Sequence, residues 1–98
     1  MTLAEYQITY WRDIPSLVVA RSGPDVAKVP LPPRFQEAID EAAMRLGATR
    51  SDAYLEGWRR ADWEDEDGTP ADVAAAIAAR IDAELPAARL DAMLEELA

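Results

Sequence analysis

No cysteine and no histidine occur in these 98 residues. The first absence excludes disulfides, thiolate nucleophiles and Cys-ligated zinc or iron–sulfur centres. The second removes the commonest general base, the commonest metal ligand and the usual pH switch. Ser16, Ser22 and Ser51 therefore have no imidazole to activate them. The four glycines, Gly23, Gly47, Gly57 and Gly68, are too dispersed to build a phosphate-cradling loop. Lysine occurs once, as Lys28. A lone lysine can form a Schiff base, but on a strand its ordinary role is a solvated charge. No apolar run approaches the ~20 residues of a membrane span. No basic segment followed by an apolar core opens the chain, so a cytoplasmic address is expected.

Acid is plentiful and unevenly placed. The net charge is −9. Residues 1–59 hold seven Lys/Arg against eight Asp/Glu, and residues 60–98 hold three against eleven. A surface of that sign repels nucleic acid and anionic lipid, so neither is expected as a partner. Half of the residues are apolar, enough for one folded domain of this length.

Along residues 5–11, Tyr6, Ile8 and Tyr10 alternate with Gln7, Thr9 and Trp11, which predicts a strand. Residues 16–21, "SLVVAR", predict a second, joined to the first by a loop of about four residues, "RDIP". "SGPD" marks another turn, and "VAKVPL" (26–31) a third strand. Pro30 cannot donate a ladder hydrogen bond, so that strand is expected to end or to lie at an edge. Strand meander thus fills residues 5–31.

Pro33 suits the first position of a helix. Phe35, Ala38, Ile39, Ala42, Ala43 and Leu46 then recur on one helical face, and Gly47 follows as the stop. This predicts a helix over 33–47. Residues 51–64 predict a short helix beginning "DAYLEGW" and a possible strand, with Ser51 as the helix cap and Gly57 weakening its end. The stretch "WRRADW" (58–63) that follows fits a fourth strand and a continued helix about equally. "EDEDG" (64–68) reads as a solvated loop. Its acids do not fit a calcium loop, because the first and twelfth ligand positions would fall on Trp63 and Ala74. Thr69-Pro70-Ala71-Asp72 is a helix start, with the apolar stripe Val73, Ile77, Ile81 and Leu85. Pro86 breaks that helix, and Leu90, Met93, Leu94 and Leu97 predict a last one, so 69–97 is an acidic helical region. The sum is a single α+β domain: an antiparallel sheet of three to four strands covered on one face by helices, with a C-terminal helical pair.

No spacing singles out a catalytic pair of carboxylates, and neither a cofactor nor a metal is expected. What remains is an aromatic and arginine set: Tyr10, Trp11, Arg12, Asp13, Trp58, Arg59, Arg60 and Trp63. Trp, Tyr and Arg are the residue types enriched at binding hot spots. They come together if the first strand neighbours 58–63. Each alone is as readily core or rim. Strand alternation puts Trp11 opposite Tyr6, Ile8 and Tyr10, and a sheet covered on one face needs only one of these sets. Trp11 is therefore expected to be partly exposed beside Arg12, serving a partner surface rather than the core.

The motifs Tyr10 to Pro15 (YWRDIP), Leu31 to Asp40 (LPPRFQEAID) and Ser51 to Trp58 (SDAYLEGW) resemble a small bacterial family named "virulence factor". The resemblance covers about residues 5–60 and leaves the acidic tail outside. It implies a small stand-alone protein of uncharacterised function, with no catalytic residues to carry over. It also implies a link, through neighbouring genes, to folate- and corrinoid-dependent methyl transfer. The expectation is a non-enzymatic interaction module or accessory subunit that binds a protein partner through the aromatic/arginine surface. The alternative is a small-ligand-binding or enzymatic domain in one-carbon metabolism, with arginines and carboxylates gripping a polar substrate. A homo-oligomer is left open.

Overall fold

A computed structural model describes residues 3–48 and 50–97. The expected α+β architecture is present: the described residues form a five-stranded antiparallel sheet and four helices, the last two forming a C-terminal pair. β1 (Leu3–Trp11), β2 (Ile14–Ser22) and β3 (Asp25–Pro30) form the meander. β3 is an edge strand and ends at Pro30. The other side of β1 carries two short strands end to end: β4 (Trp58–Arg60) beside Thr9–Trp11, and β5 (Glu64–Asp67) beside Leu3–Tyr6.

Two sequence expectations change here. The "RDIP" loop is a two-residue turn, since Trp11 pairs with Ile14 and only Arg12 and Asp13 lie between them. Ile14 and Pro15 belong to β2, and the register slips by one opposite Thr9/Tyr10, leaving Ser16 as the extra residue. A proline with no N–H to donate fits beside such a bulge. The bulged carbonyl is not idle, because Ser16 O accepts from the Leu31 N–H at 3.0 Å. The second change is residues 64–67, read as loop. They are strand β5, although all four remain exposed. Their acids lowered the strand signal, but the free edge of β1 offers a ladder, and an edge tolerates charge.

α1 (Pro33–Arg45) buries Phe35, Ala38, Ile39, Ala42 and Ala43, as its periodicity predicts. Its end is closed by Gly47 at φ +71°. There Gly47 N–H donates to Met44 O at 3.2 Å and Ala48 N–H to Ala43 O at 2.8 Å, the paired bonds of a Schellman stop. α2 (Ser51–Glu56) follows, with Arg50 at the cap position. The cap expected of Ser51 concerns a side chain outside the described residues. The two choices open for 58–63 resolve to a strand over 58–60.

α3 (Pro70–Glu84) starts as expected, with the Thr69 hydroxyl accepting from Asp72 N–H at 3.2 Å. It packs across β1, β2 and β3 through Val73, Ala74, Ile77, Ala78 and Ile81. Pro86 ends it and caps α4 (Ala87–Glu95), which lies on α1 through Leu90 and Leu94. Arg34 ties α1 to the end of α3. Its guanidinium donates to Asp82 O at 2.9 Å, to Leu85 O at 3.0 Å and to the Asp82 carboxylate.

The helices cover one face of the sheet. Ala4, Tyr6, Ile8, Val18 and Ala20 are buried beneath them, while Leu3, Glu5, Gln7, Thr9, Leu17, Val19 and Arg21 on the other face are not. Among the described residues, no helix is long and apolar enough to cross a membrane.

Candidate functional site

The hairpin turn at Arg12-Asp13 is the corner on which the aromatic and arginine residues converge. β4 returns beside β1 in a register that pairs Thr9 with Arg60, Tyr10 with Arg59 and Trp11 with Trp58. Arg59 lies over the Tyr10 ring, 4.4 Å from its centroid. Its Nε donates to Arg12 O at 2.8 Å, and its Nη2 stands 3.7 Å from the Asp13 carboxylate. One side chain of β4 is thus fastened to both turn residues and to β1. A guanidinium has five donors, and these contacts leave some of them open, since the Arg59 side chain is half exposed.

Trp11 departs from expectation: it is fully buried. Trp11 follows Tyr10 by one position, so alternation does set it apart from the Tyr6/Ile8 row. The failed premise is that only one face is covered at this end. The α2–Gly57 connection closes over the indole. The Tyr54 ring stacks on it at 5.7 Å, and Trp11 Nε1 donates to Tyr54 O at 2.8 Å. Gly57 lies against the ring, and its carbonyl accepts from Arg12 N–H at 2.7 Å. Trp11 is the anchor beneath the corner and not part of its surface. Tyr54 also meets Trp58 edge-on at 5.9 Å, so one ring supports the other two.

Trp63 is apart from the corner as well. It sits on the open sheet face, with the Arg21 guanidinium 3.7 Å above its ring. The surface set is therefore Tyr10, Arg12, Asp13, Trp58, Arg59 and Arg60. Tyr10 and Trp58 are half-buried and the others exposed. Thr9, Trp58, Arg59 and Arg60 line a shallow depression beside it. Three arginines and one aspartate make the corner net positive in a chain of net charge −9.

Arg12 is also the one non-glycine described with a positive φ, at +52°. That left-handed conformation costs an ordinary side chain roughly 1–2 kcal/mol. On the other side of the turn a cleft of about 500 Å³ opens between Trp11, Ile14, Leu46, Met93 and Leu97, with Arg12 and Glu96 among its polar groups.

Two participants escaped sequence reading, Tyr54 and Gly57. The short "DAYLEGW" helix gave no sign of covering β1. A glycine just before an aromatic strand was the available signal of close backbone approach.

The model of the family described as "Virulence factor" matches residues 9–94. The chain belongs to the virulence factor family. The match runs from β1 to α4, so the acidic region beyond residue 60 is part of the family domain and not an appendage to it. The motif YWRDIP of this virulence factor domain spans the turn that seats Trp11 and presents Arg12. No curated protein and no solved structure matches the chain.

Proposed function

We propose that this virulence factor domain is a non-enzymatic interaction module, and that the hairpin corner binds a protein partner. The observation that carries this is Arg59: an exposed arginine held by the Tyr10 ring, the Arg12 carbonyl and the Asp13 carboxylate. A side chain already ordered loses little entropy on binding, and its free donors form a planar fork suited to carboxylates. Trp58 beside it, backed by Tyr54, supplies apolar area. The partner is then a protein presenting acidic groups and an apolar contact to the corner. Affinity capture at low salt tests this. A stoichiometric protein should be retained by the native chain and lost with Trp58→Ala and Arg59→Ala. Equal retention by both variants would contradict it.

The cleft beneath Arg12 favours a second reading, a small-ligand or enzymatic domain of the kind linked to one-carbon metabolism. Its volume lies within the usual range of ligand pockets, and Arg12 could meet an anionic group above the apolar floor of Leu46, Met93 and Leu97. A bound small molecule in native mass spectrometry would support this reading over the first.

A further inference from the structure

The face of the sheet away from the helices has an unusual charge balance. Strand register assigns it Leu3, Glu5, Gln7 and Thr9 from β1, and Leu17, Val19 and Arg21 from β2. It also receives Val26, Lys28 and Pro30 from β3, Arg60 from β4, and Asp65 and Asp67 from β5. Trp63 lies against it through Arg21. Three bases (Arg21, Lys28, Arg60) meet three acids (Glu5, Asp65, Asp67), so this face sums to zero in a chain of net charge −9. Six of these fourteen residues are apolar: Leu3, Leu17, Val19, Val26, Pro30 and Trp63. Leu3 and Val26 are each more than half exposed.

The charges are also sorted across the sheet. Arg21 and Lys28 lie on β2 and β3, whereas Glu5, Asp65 and Asp67 lie on β1 and β5. Glu5 and Asp65 stand directly opposite each other in the ladder, an unfavourable like-charge pair. One cation serves it, since Arg21 Nε reaches Glu5 Oε1 at 3.4 Å. Among the described residues, Lys28 makes no ion pair.

We propose that this face is the interface of a two-fold dimer of the chain, in which β2 and β3 of one copy lie across β1 and β5 of the other. A two-fold axis along the strands reverses their order, so β3 comes over β5 and β2 over β1. Glu5 and Arg21 are register partners at one level, so each copy's Arg21 meets the other's Glu5. Lys28 comes over the stretch from Trp63 to Asp65. The second copy thereby supplies the cation that the Glu5/Asp65 pair lacks. Leu17, Val19 and Val26 supply apolar contact. This is an isologous contact, and it closes. Four strands about 4.8 Å apart and some seven residues of about 3.4 Å make a face of roughly 19 by 24 Å. Side-chain corrugation raises its accessible area toward the roughly 800 Å² per partner of a standard interface.

Sedimentation equilibrium of the full chain tests the proposal. The native chain should show a reversible monomer–dimer equilibrium. Glu5→Arg and Arg21→Glu should each weaken self-association at least ~tenfold, because each places like charges face to face. An equimolar mixture of the two variants should recover a dimer, since each then supplies what the other lost. Should either variant fail to fold by circular dichroism, Lys28→Glu on the exposed edge strand is expected to weaken the dimer in the same way. A native chain that stays monomeric, or a dimer indifferent to these variants, would overturn the proposal.

Discussion

Gly57 lies so close to Trp11 that a Cβ built on it would stand 2.4 Å from both Cε2 and Nε1 of the indole. Its φ of −72° is open to any residue, so the requirement for glycine is steric and not conformational. The ring cannot withdraw, being fully buried and hydrogen-bonded to Tyr54 O. Gly57→Ala should therefore cost about 1–3 kcal/mol by overpacking. A double-mutant cycle with Trp11→Phe, which removes the crowded part of the indole, should show a coupling of at least ~0.5 kcal/mol. Additive melts would mean that the two residues do not press on each other.

Trp11→Ala should destabilise the fold by about 3–5 kcal/mol, the range for emptying a buried aromatic site. Loss of only a few tenths in a chemical melt would return Trp11 to the surface. Ile39, fully buried on α1, gives an independent control, with Ile39→Ala expected to cost about 2–5 kcal/mol.

Arg12→Gly separates stability from binding. The substitution relieves a left-handed residue, so stability should hold or rise by up to ~1 kcal/mol. Partner affinity should nevertheless fall, because the guanidinium is gone. If stability drops by more than ~1 kcal/mol, the Arg12 side chain holds the turn instead.

The acids of 62–67 should bind calcium and magnesium no tighter than about millimolar in titration calorimetry, the range of the weakest dedicated calcium modules. β5 turns its side chains alternately to opposite faces, and Glu64 accepts a hydrogen bond from the Tyr6 hydroxyl at 3.0 Å. Micromolar binding with a fixed stoichiometry would contradict this.

The helices were the most legible part of the chain. The apolar stripe from Phe35 to Ala43, Gly47 at the stop, and Thr69-Pro70 at the start of α3 are local signals, and local physics satisfies them. β4 was half legible because three residues carry too little periodicity to separate strand from helix. β5 was not legible at all, because it exists only where β1 leaves an edge free. The corner followed the same rule. Its composition singled out Trp11 and Trp63 along with Tyr10, Arg12, Asp13, Trp58, Arg59 and Arg60, and the β1–β4 register brings only the last six together at the surface. Trp11 went the other way because its cover comes from Tyr54 and Gly57, more than forty residues away in sequence. Period-two alternation tells which side chains share a face, but not which faces another segment will close.

We propose that the corner binds a protein partner through Arg59 and its neighbours. The most direct measurement is the affinity of a captured partner for the native chain and for Arg59→Ala, alongside the stability of both. Arg59 is half exposed, so its removal should change stability by no more than about 1 kcal/mol. Affinity should fall by at least ~tenfold, or ~1.4 kcal/mol, and the native affinity should itself weaken as salt is raised. Unchanged affinity in a folded Arg59→Ala chain would contradict the account.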